Sequence, residues 1–159
     1  MATAKASPSA IDVARYLVRV ASVGEDPQPL TPLHIQKLVY YVQGWFLAYR
    51  GEPMFSEKIE AWTYGPAVRQ VYQTFKRFSG GAIDPKEGSD GNLTEEQKEF
   101  IRRVWATYNK HSAVSLTKMT HGEDPWKEAR GKTPPGERSG AIITTASLKK
   151  YFSKLAGKR

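Results

Sequence analysis

The chain has 159 residues, 40% of them apolar, no cysteine and a formal net charge of +8. That length suits one domain with a sizeable core, and the absence of cysteine excludes disulfides, thiolate nucleophiles and the usual zinc-ribbon or iron–sulfur sites. With no apolar run of the roughly eighteen residues a membrane helix needs, and no apolar leader after Met1, the chain is expected to be soluble, unexported and cytoplasmic, with no membrane partner.

A single domain is expected over residues 1–159, with a flexible arm at 1–8. Ser7-Pro8-Ser9 opens a first helix that runs to about Ser22, with Ile11, Ala14, Leu17, Val18 and Ala21 at helical spacing. Val23 to Leu30, carrying Gly24, Pro27 and Pro29, reads as a loop. Thr31 as N-cap and Pro32 at the first helical position then start a long helix. Ile35, Leu38, Val39, Val42, Trp45, Phe46 and Tyr49 form one apolar stripe, while Tyr40, Gly44 and Leu47 lie opposite. Apolar residues on both sides imply a helix packed on two sides, the centre of the domain. Gly51 can take the left-handed cap conformation, and Pro53 prevents continuation.

Glu57 to Tyr64 alternates Ile59, Ala61 and Thr63 against Glu60, Trp62 and Tyr64, the pattern of a short strand. Gly65-Pro66 reads as a sharp strand-to-helix corner, with Pro66 starting a third helix that buries Val68, Val71, Tyr72, Phe75 and Phe78. The segment 80–92 lacks periodicity and is expected to be an exposed, mobile loop without chemistry. Thr94 and Gln97 form a capping box ahead of a helix that carries Phe100, Ile101, Val104, Trp105 and Tyr108 inward. Ser112 starts a short helix through Val114, Leu116 and Met119. Asp124 is expected to cap the next turn, with Pro125 at its first position. Ala141 to Thr144 can pair with the Ile59 strand, and Thr145 caps a last helix through Leu148, Tyr151, Phe152 and Leu155. The fold expected is therefore mainly α with a small antiparallel strand pair, an α+β domain built around the aromatic-rich helix.

Catalytic chemistry finds no support in these residues. Gly131-Lys132-Thr133 resembles the end of a phosphate-binding loop, yet Trp126 occupies the position of the earlier glycine. His34, His111 and His121 show no metal-ligand spacing, and Ser115, His121 and Asp124 lack any nucleophile elbow. No cofactor or metal is expected.

The charge is uneven. Residues 127–159 hold nine Lys/Arg against two Asp/Glu, whereas residues 1–126 hold 15 against 14. A basic C-terminal third permits an acidic protein or DNA as partner. In Tyr72–Phe78 and Lys149–Lys154, however, the aromatics fall on the inner helical face and the cations outside, which is ordinary amphipathicity, so nucleic acid is not favoured.

Three ordered motifs carry a family likeness. They are Leu33-His34-Ile35-Gln36-Lys37-Leu38-Val39-Tyr40-Tyr41-Val42-Gln43-Gly44-Trp45, then Ile59-Glu60-Ala61-Trp62-Thr63-Tyr64-Gly65-Pro66-Ala67-Val68, then Thr120-His121-Gly122-Glu123-Asp124-Pro125-Trp126. In these, over about residues 10 to 156, the chain resembles the Panacea antitoxin domain, also called the SocA-like or phage-associated protein family. The resemblance implies a non-enzymatic antitoxin that inactivates a cognate protein toxin by direct contact. One branch of the family instead hands its toxin to an ATP-dependent protease, and DNA-binding autoregulation through the basic C-terminal third is a further alternative. A homo-oligomer is left open. Within the motifs, Trp45, Trp62, Gly65, Pro66 and Pro125 read as scaffold. Lys37, Tyr41, Gln43, Tyr64, His121 and Trp126 read as contact residues for the partner, since polar and aromatic groups beside a corner and a helix break suit an interface.

Overall fold

The computed structural model describes residues 7–158, so the expected arm at 1–8 lies mostly outside the described residues. The elements in chain order are helices α1 (Ala10–Ser22) and α2 (Pro32–Arg50), strands β1 (Ile59–Trp62) and β2 (Gly65–Val68), helices α3 (Arg69–Phe75), α4 (Glu95–Tyr108), α5 (Ala113–His121) and α6 (Asp124–Arg130), strand β3 (Ile142–Ile143), and helix α7 (Thr145–Leu155). The protein is mainly helical with a small antiparallel sheet, as the periodicity indicates. No helix among the described residues is long and apolar enough to cross a membrane.

The local start and stop signals act as written. Ser9 and Asp12 form a capping box on α1, Thr94 and Gln97 do so on α4, and the Thr31 hydroxyl accepts from the His34 N–H at the start of α2. Gly51 closes α2 at φ 80°, where a side chain would be strained. Two caps lie one residue before their expected places. Thr144 caps α7, and Glu123, not Asp124, holds the N-cap position of α6 but turns its carboxylate elsewhere.

Helix α2 is buried nearly all round, with α7, α1, α4, α5 and β2 packed on it. Its inward residues include the apolar Ile35, Leu38, Val39 and Val42 and also the polar His34, Gln36, Lys37 and Gln43. The α2–α7 contact is close enough to require glycine. A Cβ on Gly44 would overlap the ring of Phe152, which is itself fully buried and packs edge-on against Tyr40, Tyr41 and Trp45 with centroids 5.7, 6.0 and 5.1 Å away.

The Gly65-Pro66 corner is corrected by the structure: these residues begin a strand, not a helix. Trp62 pairs with Gly65 across a two-residue turn, Thr63-Tyr64, and Ala61 pairs with Pro66. A fixed proline φ suits an edge strand as well as a helix start, and the missing N–H faces away from the ladder. The helix begins only at Arg69, and Tyr72, expected inside, is 44% exposed. Strand β3 adds to the other side of β1 through Ile59↔Ile143 and Glu60↔Ile142, giving the order β2-β1-β3 rather than a strand pair.

The outer edge of β2 would be left with unpaired polar groups, a costly state for buried backbone. Helix α2 supplies the partners. The Gln36 amide donates to the Val68 carbonyl (3.0 Å) and accepts from the Val68 N–H (2.8 Å), as a neighbouring strand residue would. The Lys37 ammonium, 1% exposed, donates to the Pro66 carbonyl (3.0 Å). Gly65 sits at φ 105°, and a Cβ there would lie 2.7 Å from Lys37 Cε and 2.9 Å from Thr120 Oγ1. Farther along, the Gln43 amide donates to the Phe55 carbonyl and accepts from the Met54 N–H, both at 2.8 Å, fixing the link from α2 to the sheet.

The 80–92 segment is exposed over much of its length but is strapped to α1. Arg15 bonds Glu87 at 3.0 Å, Arg19 bonds Asp90 at 2.7 Å, the Ser89 N–H donates to the Arg15 carbonyl, and Ile83 is buried. These contacts span some seventy positions and have no local signature in the sequence.

Two outcomes follow from this packing. Gly44→Ala is expected to destabilise the protein by about 1–3 kcal/mol in urea unfolding, because overpacking against Phe152 outweighs the gain of up to about 1 kcal/mol in helix propensity. Burial holds the Lys37 amine down at about 7 from an ordinary 10.5, so the unfolded chain binds the extra proton between those values. Its burial therefore costs stability in full below pH 7, and the cost is relieved as pH rises toward 10.5. The native chain should gain on a Lys37→Met variant by a few kcal/mol between pH 7 and pH 10, read as the difference between their unfolding free energies.

Candidate partner-binding site

The three motifs converge behind the β1–β2 hairpin. Tyr40 and Tyr41, adjacent on α2, both donate to Glu123, Tyr40 Oη to Oε1 at 2.9 Å and Tyr41 Oη to Oε2 at 2.8 Å. Adjacent helical residues point about 100° apart, so one carboxylate reached by both must sit in the groove between their rings. Tyr41 also stacks on Tyr108 with centroids 4.1 Å apart, and the Tyr108 hydroxyl accepts from the Trp45 indole at 2.8 Å. Burial raises the Glu123 carboxyl above the ordinary range, with the two phenols opposing. Burial, with the Glu123 charge behind it, raises both phenols.

From the α5–α6 side, the Trp126 indole donates to the Trp62 carbonyl at 2.8 Å, and the ring of His121 stacks on Trp126 with centroids 4.2 Å apart. Burial lowers the His121 imidazole; the Thr63 backbone opposes that, and the nearby Lys37 and Arg130 charges reinforce it. Arg130, 4% exposed, donates to the carbonyls of Ala61 (3.1 Å), Pro134 (2.7 Å) and Glu137 (2.7 Å), and its guanidinium lies over the Trp126 ring. The hairpin is thus held through its carbonyls by Lys37 on one side and by Trp126 and Arg130 on the other.

Of the six residues expected to touch a partner, Lys37, Tyr41, Gln43 and Trp126 are buried, and their visible work is to hold the fold. His121 is half-buried beneath the hairpin turn. Tyr64 alone stands in solvent, 70% exposed at the turn. Among the scaffold residues, Gly65, Pro66 and Pro125 are buried, while Trp45 and Trp62 are partly exposed.

Tyr64 borders an open groove of about 590 Å³ whose walls include Trp62, Arg69, Tyr72 and Arg138. Trp62 and Tyr72 meet edge to face with centroids 5.4 Å apart, and Arg69 lies over the Trp62 ring. Glu60 accepts from both the Arg69 guanidinium (2.8 Å) and the Trp62 indole (3.0 Å), which fixes the two side chains. Exposed Trp, Tyr and Arg on a braced support have the composition of an interface centre. A second groove, between α2 and α4 at Trp45, Tyr49 and Phe100, is bridged by the Arg50–Glu96 ion pair (2.7 Å). Among the described residues no three His, Cys, Asp or Glu gather as metal ligands would.

Sequence reasoning missed Gln36, Glu123 and Arg130 as supports and Arg69, Tyr72 and Arg138 as surface. A signal existed for Glu123: two successive buried tyrosines need an acceptor, and no local one was free. Arg138, in a Pro/Gly-rich loop, carried none.

A family model described as antitoxin SocA-like, Panacea domain, matches residues 35–127, from the start of α2 to the Trp126 turn. Antitoxin SocA of Caulobacter vibrioides (strain NA1000 / CB15N) is 31% identical over 110 residues, which cover 62% of this chain and 58% of the relative. The chain thus spans little more than half the length of that curated protein. No solved structure is a significant match. The matched segment contains the hairpin and, apart from Arg130, every side chain named above as bracing it; this chain belongs to the SocA-like antitoxin family with a Panacea domain.

Proposed function

We propose that this protein is an antitoxin that neutralises a cognate protein toxin by direct binding, with the hairpin turn and the adjoining groove as its contact face. The observation that carries this reading is the exposure of Tyr64 (70%) and Tyr72 (44%) beside Trp62 and Arg69, on a hairpin whose carbonyls are fixed from behind. Large rigid aromatics lose little conformational entropy on binding, and a braced hairpin loses little more, so such a face is suited to tight protein association. Membership of the antitoxin family supports the same reading and gives the partner its class. In this role no bond is made or broken on the protein, and Lys37, Tyr41, Gln43 and Trp126 act by holding the face in shape.

The DNA-binding alternative draws on α7, where Lys149, Lys150 and Lys154 are exposed while Leu148 and Phe152 are buried. That is the arrangement any amphipathic helix shows, so it adds nothing specific to nucleic acid.

The test is co-expression with the product of the adjacent reading frame. Growth should be restored and a stable complex recovered, and Tyr64→Ala combined with Tyr72→Ala should weaken that complex by about 2 kcal/mol or more with an unchanged melting temperature. A toxic neighbour left active, with no complex formed, would contradict the proposal.

A further inference from the structure

We infer that the groove beside the hairpin turn receives an acidic segment of the partner protein, with a carboxylate seated on Arg138. This rests on the reading that the hairpin face binds a protein, and it gives that protein's contact segment a charge. The groove walls contain two guanidiniums, Arg69 and Arg138, and no carboxylate. Arg69 is committed: Glu60, with a side chain only 12% exposed, accepts from it at 2.8 and 3.4 Å. Arg138 is exposed and has no ion pair among the described residues. The neighbouring Glu137 gives its backbone carbonyl to Arg130, and its side chain does not line the groove.

The charges behind the hairpin have the same sign. Arg130 and Lys37, 4% and 1% exposed, bond only to backbone carbonyls, those of Ala61, Pro134, Pro135 and Glu137 for Arg130 and that of Pro66 for Lys37. The buried acid in this region, Glu123, is turned away to Tyr40 and Tyr41. The Arg130 guanidinium stays protonated and is buried without a counter-ion, so its charge is weakly screened and gives the hairpin surface a positive potential that an acidic segment would meet. The planar fork of Arg138 suits a carboxylate, and the rings of Tyr64, Tyr72 and Trp62 suit apolar neighbours on either side of it. A nucleic-acid strand would call for a row of free cations following its phosphates, and this groove offers one.

Affinity for the purified product of the adjacent reading frame, measured by titration calorimetry over a range of salt, reads this directly. Arg138→Glu should weaken binding at least about tenfold and Arg138→Ala by less, while Lys150→Glu on α7 leaves it within about twofold. Binding by the native chain should weaken as salt rises, and less steeply for Arg138→Ala. Because Arg138 is exposed, each variant should melt with the native chain. Native and Arg138→Glu chains binding equally would overturn the acidic segment and leave neutralisation standing, whereas a native chain that forms no complex fells both. A complex displaced by a single-stranded oligonucleotide, or lost on nuclease treatment, would assign the groove to nucleic acid instead.

Discussion

A hairpin of two four-residue strands has too little ladder to stand by itself in water, and the arrangement here depends on side chains that replace the strands it lacks. Gln36 pairs with Val68 as a peptide unit would, and Lys37 takes the Pro66 carbonyl. Trp126 and Arg130 take the carbonyls of Trp62 and Ala61. Every one of these donors is buried, so each bond is sheltered from competing water, and loss of one partner would strand a buried polar group. That asymmetry explains how charged and amide side chains come to sit in the middle of an otherwise apolar helix. Their burial costs stability, most plainly for Lys37, and what it secures is a fixed position for the turn at Thr63-Tyr64.

The helix break between α5 and α6 completes the support. Glu123 occupies the N-cap position but serves the two phenols of α2, so the break is anchored to the central helix while Trp126 and His121, stacked together, come to lie under the hairpin. The antitoxin role proposed for this chain needs little else from the core. The scaffold is enclosed and braced, and variation at the few exposed positions of the groove could alter the partner without disturbing what lies beneath.

Much of the helical layout was legible because its determinants are local. Thr31-Pro32, Gly51 and the Thr94/Gln97 box each act within one turn of chain, and α2's apolar residues on opposite sides announced a helix packed on two sides. Pro66 was misread because proline fixes φ at a value that helix starts and edge strands share, and the residue that holds the strand edge, Gln36, bonds Val68 from thirty-two positions away. The straps from the 80–92 segment to α1 failed to register for the same reason. Lys37, Gln43 and Trp126 looked like contact groups because their real partners are main-chain carbonyls, which carry no trace in the sequence. Tyr64 could be placed beside a corner, though at a strand end and not in the turn it occupies, whereas Arg138 entered the groove only through the folding of β3 onto β1.

Amide hydrogen exchange at Val68 tests the bracing of the hairpin most directly. If α2 side chains hold the β2 edge, the Val68 N–H should exchange as slowly as the core amides of α2 in the native chain, and Gln36→Leu should accelerate it by orders of magnitude relative to those same amides. Val68 exchanging at the rate of an exposed turn in the native chain, or remaining equally protected without Gln36, would contradict the account.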